Sequence, residues 1–111
     1  MIEIIIKTFL DKRLTVPVYL ERPENAPNRF VLFEKTGSDK SNHLASTTIA
    51  FQSYAESMYE AAKLNEEVKD AVEALILLDE VRGINLNGDY NFTDTTTKQY
   101  RYQAVYDIKH Y

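Results

Sequence analysis

Residues 47–78, TTIAFQSYAESMYEAAKLNEEVKDAVEALILL, decide the fold. They read as a buried strand, Thr47 to Ser53, running almost without a linker into one long amphipathic helix. Ser57 followed by Glu60 is a capping box: the hydroxyl accepts from the Glu60 amide and the carboxylate reaches back to the Ser57 amide. Beyond it Ala61, Leu64, Val68, Ala71, Val72 and Leu75 recur at helical spacing and make one apolar stripe. Lys63, Glu66, Glu67, Lys69, Asp70 and Glu73 take the opposite face, where Lys63/Glu67 and Lys69/Glu73 sit one turn apart. No proline breaks the run and no glycine appears before Gly83. The spacing therefore predicts a helix over Met58 to Ile76, roughly 28 Å long at about 1.5 Å per residue.

The flanking segments look like chain that needs this apolar surface to lie against. Upstream, Ile2, Ile5, Ile6, Phe9 and Leu10 form a stripe, with Glu3/Lys7 and Lys7/Asp11 on the other side. The isoleucine run also suits a strand, but the charge spacing continues past it and favours a short helix over residues 2–13. Thr15 to Glu21 (TVPVYLE) alternates, and Pro17 within it cannot donate to a ladder, which predicts an edge strand. Glu21 to Asn28 carries two prolines and reads as a loop, and Arg29 to Thr36 as a second strand. Thr36 to Ser46 (TGSDKSNHLAS) is small and polar, longer than a tight hairpin needs, and is expected to be a mobile surface hairpin tip or a loop that orders on a partner.

Downstream, Gly83 is expected to end the helix in the left-handed conformation. Ile84, Leu86, Tyr90 and Phe92 then alternate with polar residues, and Asn87-Gly88 is a candidate turn between them. Thr93 to Lys98 is a second polar loop. Gln99 to Lys109 has the cleanest strand pattern, with Tyr100, Tyr102, Ala104, Tyr106 and Ile108 on the face expected to pack on the helix. The order α-β-β-β-α-β-β predicts a single α+β domain over residues 1–111. It should be a mainly antiparallel sheet of about five strands, joined by hairpins, packed against one long helix with the short N-terminal helix beside it.

Composition narrows the function classes. A chain of 111 residues can bury one ordinary core. The formal net charge of -4 argues against a general nucleic-acid binder, although it suits the wall of a passage that DNA must not stick to. Cysteine is absent, which removes disulfides, thiolate zinc sites and thiol nucleophiles. The N-terminal apolar run is only Ile4 to Ile6 with Glu3 and Asp11 around it, so no targeting segment and no membrane span is expected. His43 and His110 lack partners at metal spacing. No nucleophile elbow and no phosphate-cradling glycine loop occurs, and Asp89, Asp94 and Asp107 read as solvated carboxylates. Neither enzyme activity nor a cofactor is predicted. Tyrosines on a sheet can stack bases, but here the outward charges are mixed. Packing on the helix, or a protein interface, is the expected role.

At TIAFQSYAESMYEAAKLNEEVKDAVEAL, followed by a hairpin and a closing RYQAVYDIKHY, the chain resembles the small tail-terminator or tail-completion proteins of long, non-contractile-tailed bacteriophages. The likeness lies in a strand with an outward Gln52 and Tyr54 running into an alanine-rich, acidic helix. The closing pattern, here Arg101, Tyr102, Ala104 and Tyr106, is shared in style. The resemblance implies a structural virion protein, assembled in the host cytoplasm, at the head-proximal end of the tail. It would end tail-tube polymerisation and present a surface to the head connector or head-completion protein. It would act as a homo-oligomeric ring, commonly hexameric and in some cases formed only on the tail, through which DNA passes without specific binding. A ring asks for two unlike interfaces on each protomer, and Pro17 disfavours sheet continuation at the first strand. Candidate contacts are Ser38, Asp39, Lys40, Ser41, Asn42 and His43 in the first polar loop, and Asp94, Thr95, Thr96, Lys98 and Arg101 at the second. Alternatives are another head-tail connector or stopper component, or a small cellular α+β module that binds a small molecule or peptide. A tail-tube subunit fits less well, since this chain is short.

Overall fold

A strand as apolar as TIAFQSYA stays in water only if both of its faces and both of its edges are covered. In the structure, a computed structural model that describes residues 1–41 and 43–111, that strand is β3 (Leu44–Ala55). Its neighbours are β2 (Phe30–Ser41) on one edge and β5 (Tyr100–His110) on the other. β4 (Val81–Asn91) pairs with β5, and the two-residue β1 (Val18–Tyr19) lies outside β2, giving the order β1-β2-β3-β5-β4. The fold is α+β, with a five-stranded mixed sheet and two helices, α1 (Ile2–Arg13) and α2 (Met58–Glu73).

Both helices lie on one face of the sheet. Ala61, Leu64, Val68, Ala71, Val72 and Leu75, the stripe read from spacing, are all buried there. They meet Val31 and Phe33 of β2, Ile49 and Phe51 of β3, and Ala104, Tyr106 and Ile108 of β5. α1 adds Ile2, Ile6 and Leu10, so the isoleucine run is helical: its period matches the groove beside α2. At the start of α2 the Ser57 hydroxyl accepts from the Glu60 amide at 3.2 Å. The Glu60 carboxylate turns to Arg29 at 3.2 Å, outside the reciprocal half of the box.

Several local expectations give way to tertiary pairing. β1 runs parallel to β2, not as one arm of a hairpin, with Val18 opposite Val31 and the Val31 amide donating to the Pro17 carbonyl at 2.9 Å. Pro17 thus serves as acceptor only, and the proline-bearing segment after β1 crosses back over the sheet. The stretch expected as a loop over residues 36–46 is strand on both sides up to Ser41 and from Leu44. Residues 45–47 gain a second partner in His110 to Ile108, which local composition does not reveal. Gly83 lies in β4 and no glycine has positive φ; among the described residues the left-handed ones are His43 (φ 66) and Lys98 (φ 56). Asn87-Gly88 does not turn the chain, because β4 continues through it with a bulge against β5. α2 stops at Glu73 and tightens into a 3₁₀ turn, Ala74–Leu77, that swings Leu75 into the core.

Two substitutions test this account. Phe51→Ala is expected to cost about 3–5 kcal/mol of stability through the cavity it leaves, and Ser57→Ala about 1 kcal/mol through loss of the cap. Urea-denaturation midpoints measure both, and an unchanged midpoint for Ser57→Ala would show that the cap does not hold α2.

Candidate interaction surfaces

The register of β3 against β5 places the two sequence-predicted contact regions. Ala45 pairs with His110 at one end and Ala55 with Tyr100 at the other, about 33 Å apart at 3.3 Å per residue. Ser38, Asp39, Lys40, Ser41 and His43 belong to the first end, where β2 turns into β3; Asn42 lies outside the described residues. Asp94, Thr95, Thr96, Lys98 and Arg101 belong to the second, where β4 returns into β5. The structure does not gather them into one site. It puts them at opposite poles of a molecule 44 × 25 × 24 Å in extent.

The second pole is held by a set of hydrogen bonds. Asp94 bridges Gln99 through paired backbone bonds of 3.2 Å. Its carboxylate accepts from the Thr96 amide at 3.0 Å and the Thr97 amide at 3.4 Å, an Asx turn. Hydrogen bonds from Thr97 and then from the two backbone amides hold the Asp94 carboxyl below the usual carboxylate range. The first pole carries a cleft of about 510 Å³ lined by Asp39, Ser41, Leu44, Ala45, Ser46 and Lys109, open and mixed in polarity. Thr47 and His110 are buried beside it, 2.7 Å apart between Oγ1 and Nε2.

On the sheet face away from the helices lies a set of side chains that local reading only partly found. Phe30 and Tyr54 stack at 4.4 Å with ring planes 8° apart, and Arg22 sits over both, 5.6 and 5.3 Å from their centroids. Arg101 lies over Phe92 at 4.4 Å and donates to the Tyr54 hydroxyl at 2.8 Å. Tyr54 donates to Gln52 at 3.0 Å, Gln52 to Gln103 at 2.8 Å, and Gln103 to the Tyr90 hydroxyl. Although no helix covers this face, Phe30 is 2% exposed and Tyr54 5%. Gln52, Tyr54 and Arg101 stood out in the sequence, but Arg22 and Gln103 did not. Arg22 meets Gln99 from 77 residues away, a distance no periodicity spans.

The flank of α2 next to β4 is acidic with one cation inside it. Lys69 bonds Asp89 at 2.6 Å and also Glu66, and Asn65 donates to Asp89 at 2.8 Å. Hydrogen bonds that Lys69 donates to Asp89 and Glu66 push it well above its ordinary value, against the opposing effect of burial. Burial pulls Asp89 up, but hydrogen bonds from Lys69 and Asn65 and the Lys69 charge more than offset it, so Asp89 titrates low. Tyr106 crosses the core to donate to Glu73 at 2.7 Å; burial, then that carboxylate, raise its phenol far above the usual range.

Among the described residues, no group of three histidine, cysteine, aspartate or glutamate side chains is placed to hold a metal, and no helix is long and apolar enough to cross a membrane. No family model and no curated protein matches the chain.

Because Asp89 titrates below its unfolded value, near 4, it stabilises the fold above that pH and the contribution is lost as pH falls through the folded value. Asp89→Asn is therefore expected to lower the urea midpoint at pH 7 and to flatten its fall below about pH 4. Equal acid slopes in the two proteins would show that Asp89 is not among the groups that drive acid unfolding.

Proposed function

We propose that this chain is a structural subunit of a phage virion that caps the head-proximal end of the tail tube, ends its growth and joins it to the head connector. The observation that carries the reading is the separation of two polar chain reversals at opposite poles of one sheet, between unlike flanks. A capping subunit needs this division: one axial surface for the tube, one for the connector, and two different lateral surfaces for its neighbours. The pole at Ser38 to His43 and the pole at Asp94 to Arg101 are the axial contacts. The resemblance carried by Gln52, Tyr54 and the closing Arg101-Tyr102 strand points the same way, and the net charge of -4 suits a lining that lets DNA pass. The subunit acts as a ring, and the tube end serves as the template on which it closes.

Purified protein is mixed with tail tubes and followed by light scattering and negative-stain microscopy. Rings seated on one tube end, with elongation stopped, are the expected result. Asp39→Ala/Lys40→Ala and Thr95→Ala/Thr96→Ala change opposite poles on exposed side chains. One pair is expected to weaken tube binding roughly tenfold, and the other to leave tube binding alone while impairing joining to heads. A well-folded protein that ignores tube ends at every concentration would sink the reading.

A further inference from the structure

The sheet has two free edges, and their patterns match. On β2 the Val31 amide points outward, to Pro17. Alternation along an antiparallel ladder then turns the N–H and C=O of Phe33 and Lys35 outward. Past the extra residue Thr36, it turns out those of Ser38 and Lys40. β1 reaches only to the partner of Leu32, so from Phe33 onward these groups have no strand partner among the described residues. On β4, Phe92 donates inward to Arg101 at 2.9 Å. The same alternation turns Asn91 and Asp89 outward and, past the bulge at Asn87, Leu86 and Ile84. Three antiparallel steps separate β2 from β4, so the two run in opposite directions. A second copy placed alongside in the same orientation presents its β4 antiparallel to β2.

We propose that copies of this chain join edge to edge into one continuous sheet, β2 of one against β4 of the next, with Lys35 opposite Asp89. In this register Phe33 faces Asn91, Ser38 faces Leu86 and Lys40 faces Ile84. Bulge meets bulge, Thr36-Gly37 against Asn87-Gly88, so neither interrupts the new ladder. Charge fixes the choice among registers. Lys35 has a side chain 44% exposed and, among the described residues, an ion pair with Glu3 at 3.8 Å, and it is brought to the acidic flank of Asp89. Lys40 comes beside the cleft that Glu73 shares with Ile76, Ile84 and Leu86. Ile76 and Leu86, each about half exposed, gain cover from the lysine stems. Lysines and bulges normally guard an edge against indiscriminate pairing. Here they leave an edge that accepts a strand bulged in the same step with an acid at the matching position. The contact is heterologous, so it closes into a ring when the rotation per copy allows. The ring's closure rests on the capping function above; the pairing itself does not.

The absence of cysteine makes the test direct. Ser38→Cys and Leu86→Cys, both at exposed positions, are mixed at the highest soluble concentration and oxidised. A disulfided heterodimer several-fold above the homodimers formed by either variant alone is expected. The double variant is expected to give a ladder of covalent oligomers, since its two cysteines lie on opposite sheet edges, about 14 Å apart over three strand spacings. Lys40→Cys mixed with Leu86→Cys tests the shifted register and is expected to stay near background. No heterodimer above background, or equal yields in both registers, overturns the proposal. Tubes capped by a protein that fails to cross-link would leave the capping function standing and this pairing refuted. Cross-linking by a protein indifferent to tubes would do the reverse.

Discussion

The ladder between β3 and β5 is the constraint on which the rest of the molecule depends. It runs unbroken from Ala45↔His110 to Ala55↔Tyr100, whereas the β2–β3 ladder carries one irregularity and the β4–β5 ladder two. An uninterrupted ladder fixes the facing of every residue in both strands, since a slip of one position would turn Ile49, Phe51, Tyr106 and Ile108 away from the helices. It brings together segments about 60 residues apart in sequence (Thr47 with Ile108), so its closure entropy is offset only when α2 packs on the completed face. Helix and ladder are for that reason one cooperative unit.

With that unit in place, the two faces of the sheet solve different problems. The helix face is an ordinary apolar core. The other face has no covering layer and uses side chains as its own roof, with Arg22 and Arg101 over stacked rings and glutamines bonded across strands. Cation–ring contacts of this kind contribute about 0.5–2 kcal/mol each, more as they lose water, and the polar groups beneath find partners within the sheet. The arrangement ties the segment around Arg22 and the turn after Phe92 to the same strands, which stiffens one pole of the molecule.

The proposed function rests on the surfaces of the molecule. The poles carry short polar turns with hydrogen-bonding side chains, and the flanks carry open strand edges of opposite direction. A subunit shaped in this way is suited to stacking along an axis and to repetition around it. In the proposed pairing, the acidic flank by Asp89 and the lysines of β2 would give the two lateral surfaces opposite character, which would favour one neighbour orientation over its reverse.

What the sequence determined by itself was the part governed by near neighbours. The Ser57 cap, the stripe from Ala61 to Leu75, the period of α1 and the alternation of β5 all follow from spacing along a single element, where side-chain direction is set by the backbone. The α+β class followed from these. Tertiary structure decided whatever depends on a partner far along the chain. Residues 36–46 are polar enough to read as a loop, yet Lys40 and Ser41 pair with Ala45 and Leu44, and Ala45 and Ser46 also pair with β5. Gly83 and Asn87-Gly88 carry turn chemistry, and were drawn into β4 by the same strand. β1 lies parallel to β2, with the Pro17 carbonyl accepting from the Val31 amide, a pairing that no local pattern announces until Val31 is in place. The physical reason is common to all three: a backbone hydrogen bond satisfied across the sheet outweighs the weak local propensities of polar residues.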